Sequence, residues 1–558
     1  MDFSMAGYYS LLTGLMLGVL FFVRGNYFWP YWFAYQALIL FVTSFIIVLD
    51  LELYRHWGFR LDATPILYMG KEAASSGDLL TSILLVLFFL VVFSIGLYSV
   101  YKYFKPRFLA LEPCHWAASS AIVFVTALFI IPIRGSFGVA PMNTGFVYFH
   151  EKNVFANHSA VNVAWNFFYA VQKMNRLKYS DNYFDHDKTG KYFSEMFPTP
   201  DSTYTIIRGD RPNVVIIMLE SYSSGLIGVL GGVPNVTPRF NALVKEGVLF
   251  DHFYSSGDRT DKGIVSVLNG YPAQPVTSLV KEPKKTRQLP YLNKVFKARG
   301  YRTEFTYGYN INYANFNSYL MHGDFDHITH SMDFPQELNT SKWGVHDHYV
   351  FEKFFEELEQ APAPFFKIMM TQSSHEPFDV PMETVIEGDD DVSKFLNSAY
   401  YTDKSLGEFI DKAKQAEWWK NTLVVITADH GHNYPNNPGV SNPDKFKIPM
   451  LWLGGALTVR DTVIHTIGGH PDIANTVLGQ LGIYDKEFTF SRNILNTSFK
   501  PFAVFVYNNG FGMVKPEGQL VYDNVGNRII REDGSLQEKD LECGKAYIQE
   551  LYWDFNSR

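Results

Sequence analysis

The sequence predicts two structural classes in one chain. An α-helical transmembrane domain over residues 1–133 is followed by a connector over 134–210. An α/β doubly wound domain then runs over 211–500, with a small antiparallel sheet and a helix over 501–558. Three observations carry this. Four charge-poor apolar runs fill the first 133 residues. From Pro212, short β-branched runs ending in acids or histidines alternate with helical stretches. After Lys500, short alternating runs are separated by Asn-Gly and Pro-Glu-Gly turns.

The apolar runs are Tyr8–Val23, Tyr31–Leu49, Leu79–Tyr101 and Trp116–Ile133. The last three approach or exceed the ~18–20 residues that cross hydrocarbon, and the first is slightly short. A signal peptide is single and followed by a cleavage site, which four runs do not fit. Buried soluble helices are the other use of such runs, but this length without charge is rare in soluble cores. The stretch "KYFKPRF" carries Lys102, Lys105 and Arg107 with no acid, so it reads as cytoplasmic. Everything after Ile133 is then delivered outside. Four spans also place the N-terminus outside, which leaves open a further helix ahead of residue 1.

Composition supports a split chain. At 558 residues it exceeds one compact domain. Apolar residues make up 47%, yet mean hydropathy is only −0.06, because a very apolar segment is averaged with an ordinary one. The net charge is −8 and no long basic run occurs, which argues against a nucleic-acid partner. Cys114 and Cys543 are the two cysteines, and a disulfide between them is not expected. In the connector, "AVNVAWNFFYAVQKM" has aromatics on one helical face, which suits either a membrane surface or packing against the soluble domain.

In the α/β region, "NVVIIMLE" (213–220), "PFFKIMMTQSSHEPF" (364–378) and "NTLVVITADHGHN" (421–433) read as strands buried on both faces. Ligands of such sheets bind beyond the carboxyl ends of the strands. Glu220, His375, Asp429 and His430 fall there. Asp, Glu and His suit Mn²⁺, Mg²⁺ or Zn²⁺, and Gly431 supplies the turn that lets adjacent Asp429 and His430 reach one point. Thr260, in "GDRTDKG", stands where a polar stretch meets a helical apolar pattern. Locally it reads as a helix N-cap, or else as a nucleophile at a helix N-terminus.

The set "NVVIIMLES", "GDRTDKG", "TQSSHEPF", "ITADHGHN" and "GGHPDIANTVLG" resembles the alkaline phosphatase/sulfatase superfamily. Within it, the chain resembles the lipoteichoic acid synthase group of membrane phosphoglycerol transferases. The resemblance implies one divalent metal, Mn²⁺ first with Zn²⁺ or Mg²⁺ as alternatives, held by Glu220, Thr260, Asp429 and His430. It implies that Thr260 is the nucleophile and His375 a substrate-side histidine. His432 and Arg259 are further expected substrate contacts. His470 and Asp472 are expected to hold a helix start. One departure concerns "YGYNINYANFNSYL": where the group has a Trp and an Arg that hold glycerol phosphate, this sequence has Ala314 and Phe316, with Asn315 between them. Trp343 and Asp347 are expected to rebuild part of that pocket, although Asp347 also reads as a helix start.

The function so implied is a metal-dependent phosphotransferase of the bacterial cytoplasmic (inner) membrane, multi-pass, with its catalytic domain outside. It moves a phosphoglycerol-like headgroup from a membrane phospholipid donor, through a covalent phosphothreonine, to a glycan or glycolipid acceptor. A hydrolase using water as acceptor has the same nucleophile and metal and stays open, as does a catalytically silent lipid-binding relative.

Overall fold

The computed structural model describes residues 1–18, 25–57, 60–67, 79–113, 115–135, 142, 147, 154–174, 183–198, 201–209, 211–275, 278–311 and 316–558. The chain forms two compact units, Met1–Lys178 with Val525–Arg528, and Tyr179–Asn524 with Ile529–Arg558.

Among the described residues, three helical segments of the first unit are long and apolar enough to cross a membrane: Tyr27–Arg55, Leu80–Leu109 and Trp116–Arg134. The helix Gly25–Trp57 has 33 residues, about 50 Å at 1.5 Å per residue, so its ends outrun a ~30 Å hydrocarbon layer. Of the first expected span, residues 19–23 lie outside the described residues, and Tyr8–Gly18 lies in the 17-residue helix Asp2–Gly18. Its glycines explain where it sits: Cβ atoms at Gly7, Gly14 and Gly18 would meet Ile133, Thr126 and Val123, each closer than 3.0 Å. This small-residue face lets it lie antiparallel against the last span. At the end of the second helix, Asp50 is buried and held by Arg60 Nη1 at 2.5 Å and the Leu61 N–H at 2.7 Å. The connector helix Val163–Met174 packs within this unit. Trp165 Nε1–H donates to Ser4 Oγ at 3.1 Å, and Asn166 Nδ2–H to Leu61 O at 2.9 Å.

The second unit is built on a nine-stranded sheet. Its strands are β1 (Asn213–Leu219), β2 (Val248–Tyr254), β3 (Arg302–Tyr307), β4 (His327–Thr329), β5 (Phe365–Met370), β6 (Thr422–Ala428), β7 (Lys447–Leu453), β8 (Thr462–Ile464) and β9 (Gly468–Gly469). The order is β4-β3-β5-β1-β6-β7-β2-β8, with β9 also on β2. The sheet is mixed: β4, β3, β5, β1 and β6 pair in parallel, and β7 runs antiparallel to both β6 and β2. β1, β5 and β6 are buried along their whole length, which is why they read as largely apolar runs; the one charge among them, Lys367 of β5, is paired with Glu304.

The expected C-terminal meander is present as β10 (Ala503–Tyr507), β11 (Gly510–Lys515), β12 (Gly518–Asp523) and β13 (Arg528–Gly534), followed by the helix Glu538–Ser557. The Val506 N–H donates to Ser256 O at 2.9 Å, tying this sheet to the segment that precedes Thr260. Cys543 is a free, buried thiol; Cys114 lies outside the described residues.

Candidate active site

The register of the three central strands assembles the site. β1 pairs in parallel with β6 from Asn213–Thr422 to Leu219–Ala428, and with β5 up to Met218–Met370. Glu220, Thr371 and Asp429 therefore leave the sheet at one level. The Thr371 hydroxyl accepts from the Glu220 N–H at 2.9 Å, and the Asp429 N–H donates to Leu219 O at 3.1 Å. The chain turns at Ser221, whose φ of 59° is left-handed. That conformation costs a non-glycine residue of order 1 kcal/mol. It aims the Ser221 N–H at Asp429 Oδ1 at 2.8 Å, while the Ser221 hydroxyl donates to Glu220 Oε1 at 2.8 Å.

Thr260 is the first residue of the helix Thr260–Asn269, and the N-cap position belongs to Arg259, without a side-chain capping bond. The N-cap reading of Thr260 is thereby set aside. Its hydroxyl instead donates to Glu220 Oε2 at 3.3 Å and lies 3.4 Å from His430 Nε2. Gly263 allows this close seating: a Cβ there would fall 2.0 Å from Asp429 O.

Glu220, Asp429 and His430 are buried, and one ligand atom from each lies within 4.8 Å of the others. His430 Nε2 is 3.6 Å from both Glu220 Oε1 and Asp429 Oδ2. Three observations show that this set suits a divalent cation. Asp429 Oδ2 is buried without a hydrogen-bond partner, a costly state for a carboxylate oxygen. Burial and the neighbouring Asp429 push the Glu220 carboxyl well above its usual range, the mark of two acids lacking a counter-charge. His430 Nδ1–H engages Gly431 O at 3.0 Å, which leaves the lone pair of Nε2 toward the carboxylates.

His375 follows β5 on a loop clamped by Asp347. Asp347 Oδ1 accepts from the N–H groups of Gln372 (2.8 Å) and Ser373 (3.2 Å), and Oδ2 accepts from Thr402 Oγ1 at 2.6 Å. Asp347 is fully buried with its oxygens so engaged. Its expected role on a substrate gives way to one of positioning the loop. Trp343 lies against His375 with ring centroids 4.0 Å apart, and its indole N–H donates to Glu376 O. Burial, with a contribution from His430, holds His375 down at about 4. His432 packs on Phe395 at 4.4 Å, and its Nδ1 accepts from the Tyr434 N–H at 3.0 Å. His470 and Asp472 take the expected structural places. The His470 ring bridges Ala428 O (2.8 Å) and the Ser256 N–H (3.3 Å), and Asp472 pairs with Arg492. Asn315 and Ala314 lie outside the described residues, while Phe316 is buried beside Tyr307.

The structure adds cations that sequence reasoning missed. Lys262 and Lys445 are both 8% exposed and surround Asp258 together with Arg259. Lys262 Nζ is 3.1 Å from Asp258 Oδ1. Burial opposes the charge of Asp258, but Lys262, Lys445 and Arg259 outweigh it and hold the acid ionised. Burial lowers Lys445, with Arg259 and Lys262 adding to the effect against Asp258. Lys262 was within sight as the second residue after Thr260. Lys445 arrives from a distant short helix, Pro443–Phe446, with no local signal.

Residues 212–483 match the sequence profile of the Sulfatase family. The chain is 26% identical over 341 residues to the lipoteichoic acid synthase-like protein YvgJ of Bacillus subtilis, covering 56% of this chain and 54% of that one; it thus spans about half the length of this relative. It is 23% identical over 579 residues to a lipoteichoic acid synthase of Staphylococcus saprophyticus, covering 97% of this chain and 86% of that one. A solved protein of the alkaline phosphatase superfamily from Vibrio parahaemolyticus superposes with a TM-score of 0.60 at 25% identity, covering 67% of this chain and 97% of that one. β1, β6 and their carboxyl-end residues all lie inside the segment that matches the Sulfatase family, and this segment follows the three apolar helices found among the described N-terminal residues.

Proposed function

We propose that this chain is a membrane phosphotransferase that moves a phosphoglycerol-type headgroup from a phospholipid to a glycan or glycolipid acceptor, with Thr260 as nucleophile. The observation that carries it is the convergence of the Thr260 hydroxyl with Glu220 and His430 at 3.3 and 3.4 Å, on the carboxyl ends of fully buried strands. The lipoteichoic acid synthases among its relatives, and apolar helices suited to a lipid donor, support transfer. The basic Lys102–Arg107 stretch supports a multi-pass protein of the cytoplasmic membrane with the α/β domain outside.

Glu220, Asp429, His430 and Thr260 would hold a divalent metal, Mn²⁺ in the first instance, which when bound supplies positive charge against the phosphoryl oxygens. The residues do the rest. The Thr260 Oγ attacks phosphorus and its proton leaves along the hydrogen bond to Glu220 Oε2. The bond from phosphorus to the diacylglycerol oxygen breaks with its electron pair, and that oxygen takes a proton from water, whose hydroxide in turn takes up the proton held on Glu220. An acceptor hydroxyl then displaces Thr260 from phosphorus and returns a proton to its oxygen. Arg259, Lys262 and Lys445 add positive potential for an anionic donor. His375, neutral because burial holds it at about 4, suits a hydrogen bond to a phosphoryl oxygen better than delivery of a proton as imidazolium. Trp343 forms the wall beside it.

The test is intact-mass analysis of the full chain after incubation with phosphatidylglycerol, alongside product analysis with a fluorescent donor. Wild type gains one glycerol phosphate and forms an acceptor adduct. Thr260→Ala gains none and loses at least about 10³-fold in turnover. Chelation abolishes turnover and Mn²⁺ restores it. Free headgroup phosphate with no acceptor adduct would instead make the chain a hydrolase. Turnover by Thr260→Ala would end the nucleophile assignment.

A further inference from the structure

Asp251, His252 and His465 form a second convergent group, separate from the residues assigned to phosphoryl transfer. The two oxygens of Asp251 are shared between imidazoles: Oδ1 is 2.7 Å from His252 Nδ1, and Oδ2 is 2.7 Å from His465 Nδ1. One ligand atom of each residue lies within 4.8 Å of the others.

This arrangement does not follow from regular strand geometry. Asp251 and His252 are neighbours on β2, and neighbours on a regular strand face opposite sides of the sheet. Here the pairing of β2 with β7 shifts register between Phe250 and Phe253. On its other edge the partner strand changes over the same two residues. β8 ends at the Phe250–Ile464 pair and β9 begins at Phe253–Gly468. Such an irregularity re-aims side chains, and it brings two adjacent residues within reach of one point. His465, the first residue after β8, closes the group from the other segment.

An ordinary surface ion pair would need neither the second imidazole nor the bulge, and would contribute little. The donor set of two imidazole nitrogens and one carboxylate oxygen is that of a zinc site with room for water, and it is too nitrogen-rich for Mg²⁺ or Ca²⁺. Ligand atoms about 2.0–2.1 Å from a tetrahedral zinc stand roughly 3.3 Å apart. The two 2.7 Å contacts must therefore open by about 0.6 Å, which the rings of His252 and His465, 42% and 74% exposed, can provide by rotation. Open positions exist: His252 and His465 also line a cavity of about 650 Å³ with Lys515, Glu517 and Asp533.

We propose that Asp251, His252 and His465 bind a Zn²⁺ ion, with water completing its coordination on the cavity side. The ion fastens the link between β8 and β9 to β2. That link continues through Gly468 and Gly469 to His470, whose ring joins Ser256 to the end of β6.

The experiment uses the full chain in detergent, stripped with chelator, re-equilibrated with Zn²⁺ and desalted, with zinc per chain measured by atomic emission. Replacement by Co²⁺ adds a visible absorption readout of the same site. His465→Ala and Asp251→Asn are expected to bind one zinc fewer than wild type. Their affinity at this site falls by more than the roughly 10–100-fold that loss of a mere outer partner costs. His465 is exposed, so its substitution leaves the core untouched, and circular dichroism checks the fold of both variants. Asp429→Asn is expected to keep this zinc, which separates the proposal from the transferase reading. Equal zinc content and equal affinity in wild type, His465→Ala and Asp251→Asn would overturn it.

Discussion

Gly263→Ala is the smallest change that should separate the nucleophile from its partners. Gly263 lies three residues after Thr260 on the same helix. A Cβ placed there would stand 2.0 Å from Asp429 O, 2.8 Å from Asp429 C and 3.1 Å from Asp429 Cα. These are backbone atoms beyond the end of a fully buried strand, so they cannot swing aside as a side chain would. Ordinary contact begins at 3.4 Å, so helix and strand must part by about 1.4 Å. The Thr260 hydroxyl, now at 3.3 and 3.4 Å from Glu220 and His430, is then carried out of hydrogen-bond reach. Overpacking of this kind costs about 1–3 kcal/mol, partly offset by the ~1 kcal/mol that alanine gains over glycine in a helix. A displacement near 1 Å at a reacting atom costs roughly 10²-fold in rate. The assay is headgroup transfer by the full chain, with thermal unfolding measured in parallel. Gly190→Ala serves as control, because nothing lies within 4 Å of its would-be Cβ. A Gly263→Ala variant with wild-type turnover and melting temperature would refute the geometric argument.

Other perturbations have equally definite outcomes. The His470 imidazole is buried, with both nitrogens hydrogen-bonded, and is held at about 4. Above pH 6.5 it is neutral whether folded or unfolded. Below that, only the unfolded chain takes up the proton, so stability falls by up to about 3 kcal/mol as pH drops from 6.5 to 4. His470→Gln should flatten the melting temperature against pH in that window, and an unchanged slope would count against the assignment. Arg492→Ala strips Asp472 of bonds at 2.9 and 2.6 Å and leaves a buried carboxylate uncompensated, a loss of about 3–5 kcal/mol readable by denaturant unfolding. Trp343→Ala removes the ring whose centroid lies 4.0 Å from that of His375 and should lower kcat/KM about two- to tenfold, the worth of one aromatic contact; unaltered kinetics would remove Trp343 from the pocket.

Much of the site was legible in residues 213–220, 257–263, 371–378 and 426–433, for a physical reason. Strands buried on both faces are largely apolar, so the first acid or histidine after each run marks where the chain leaves the sheet, and ligands bind there. Apolar length likewise revealed the helices, and Asn-Gly and Pro-Glu-Gly turns revealed the meander, because each of these signals is local. What tertiary structure alone decided is non-local. The Leu219–Ala428 register places Glu220 beside Asp429, residues 209 positions apart. The antiparallel course of β7 depends on pairing that no single strand encodes. Asp347 became a loop clamp only once Gln372, Ser373 and Thr402 were brought to its oxygens. Lys445 and the bulge that aims Asp251 and His252 at one point had no local pattern. Local sequence determines which groups must escape an apolar strand, whereas strand pairing determines which of them meet.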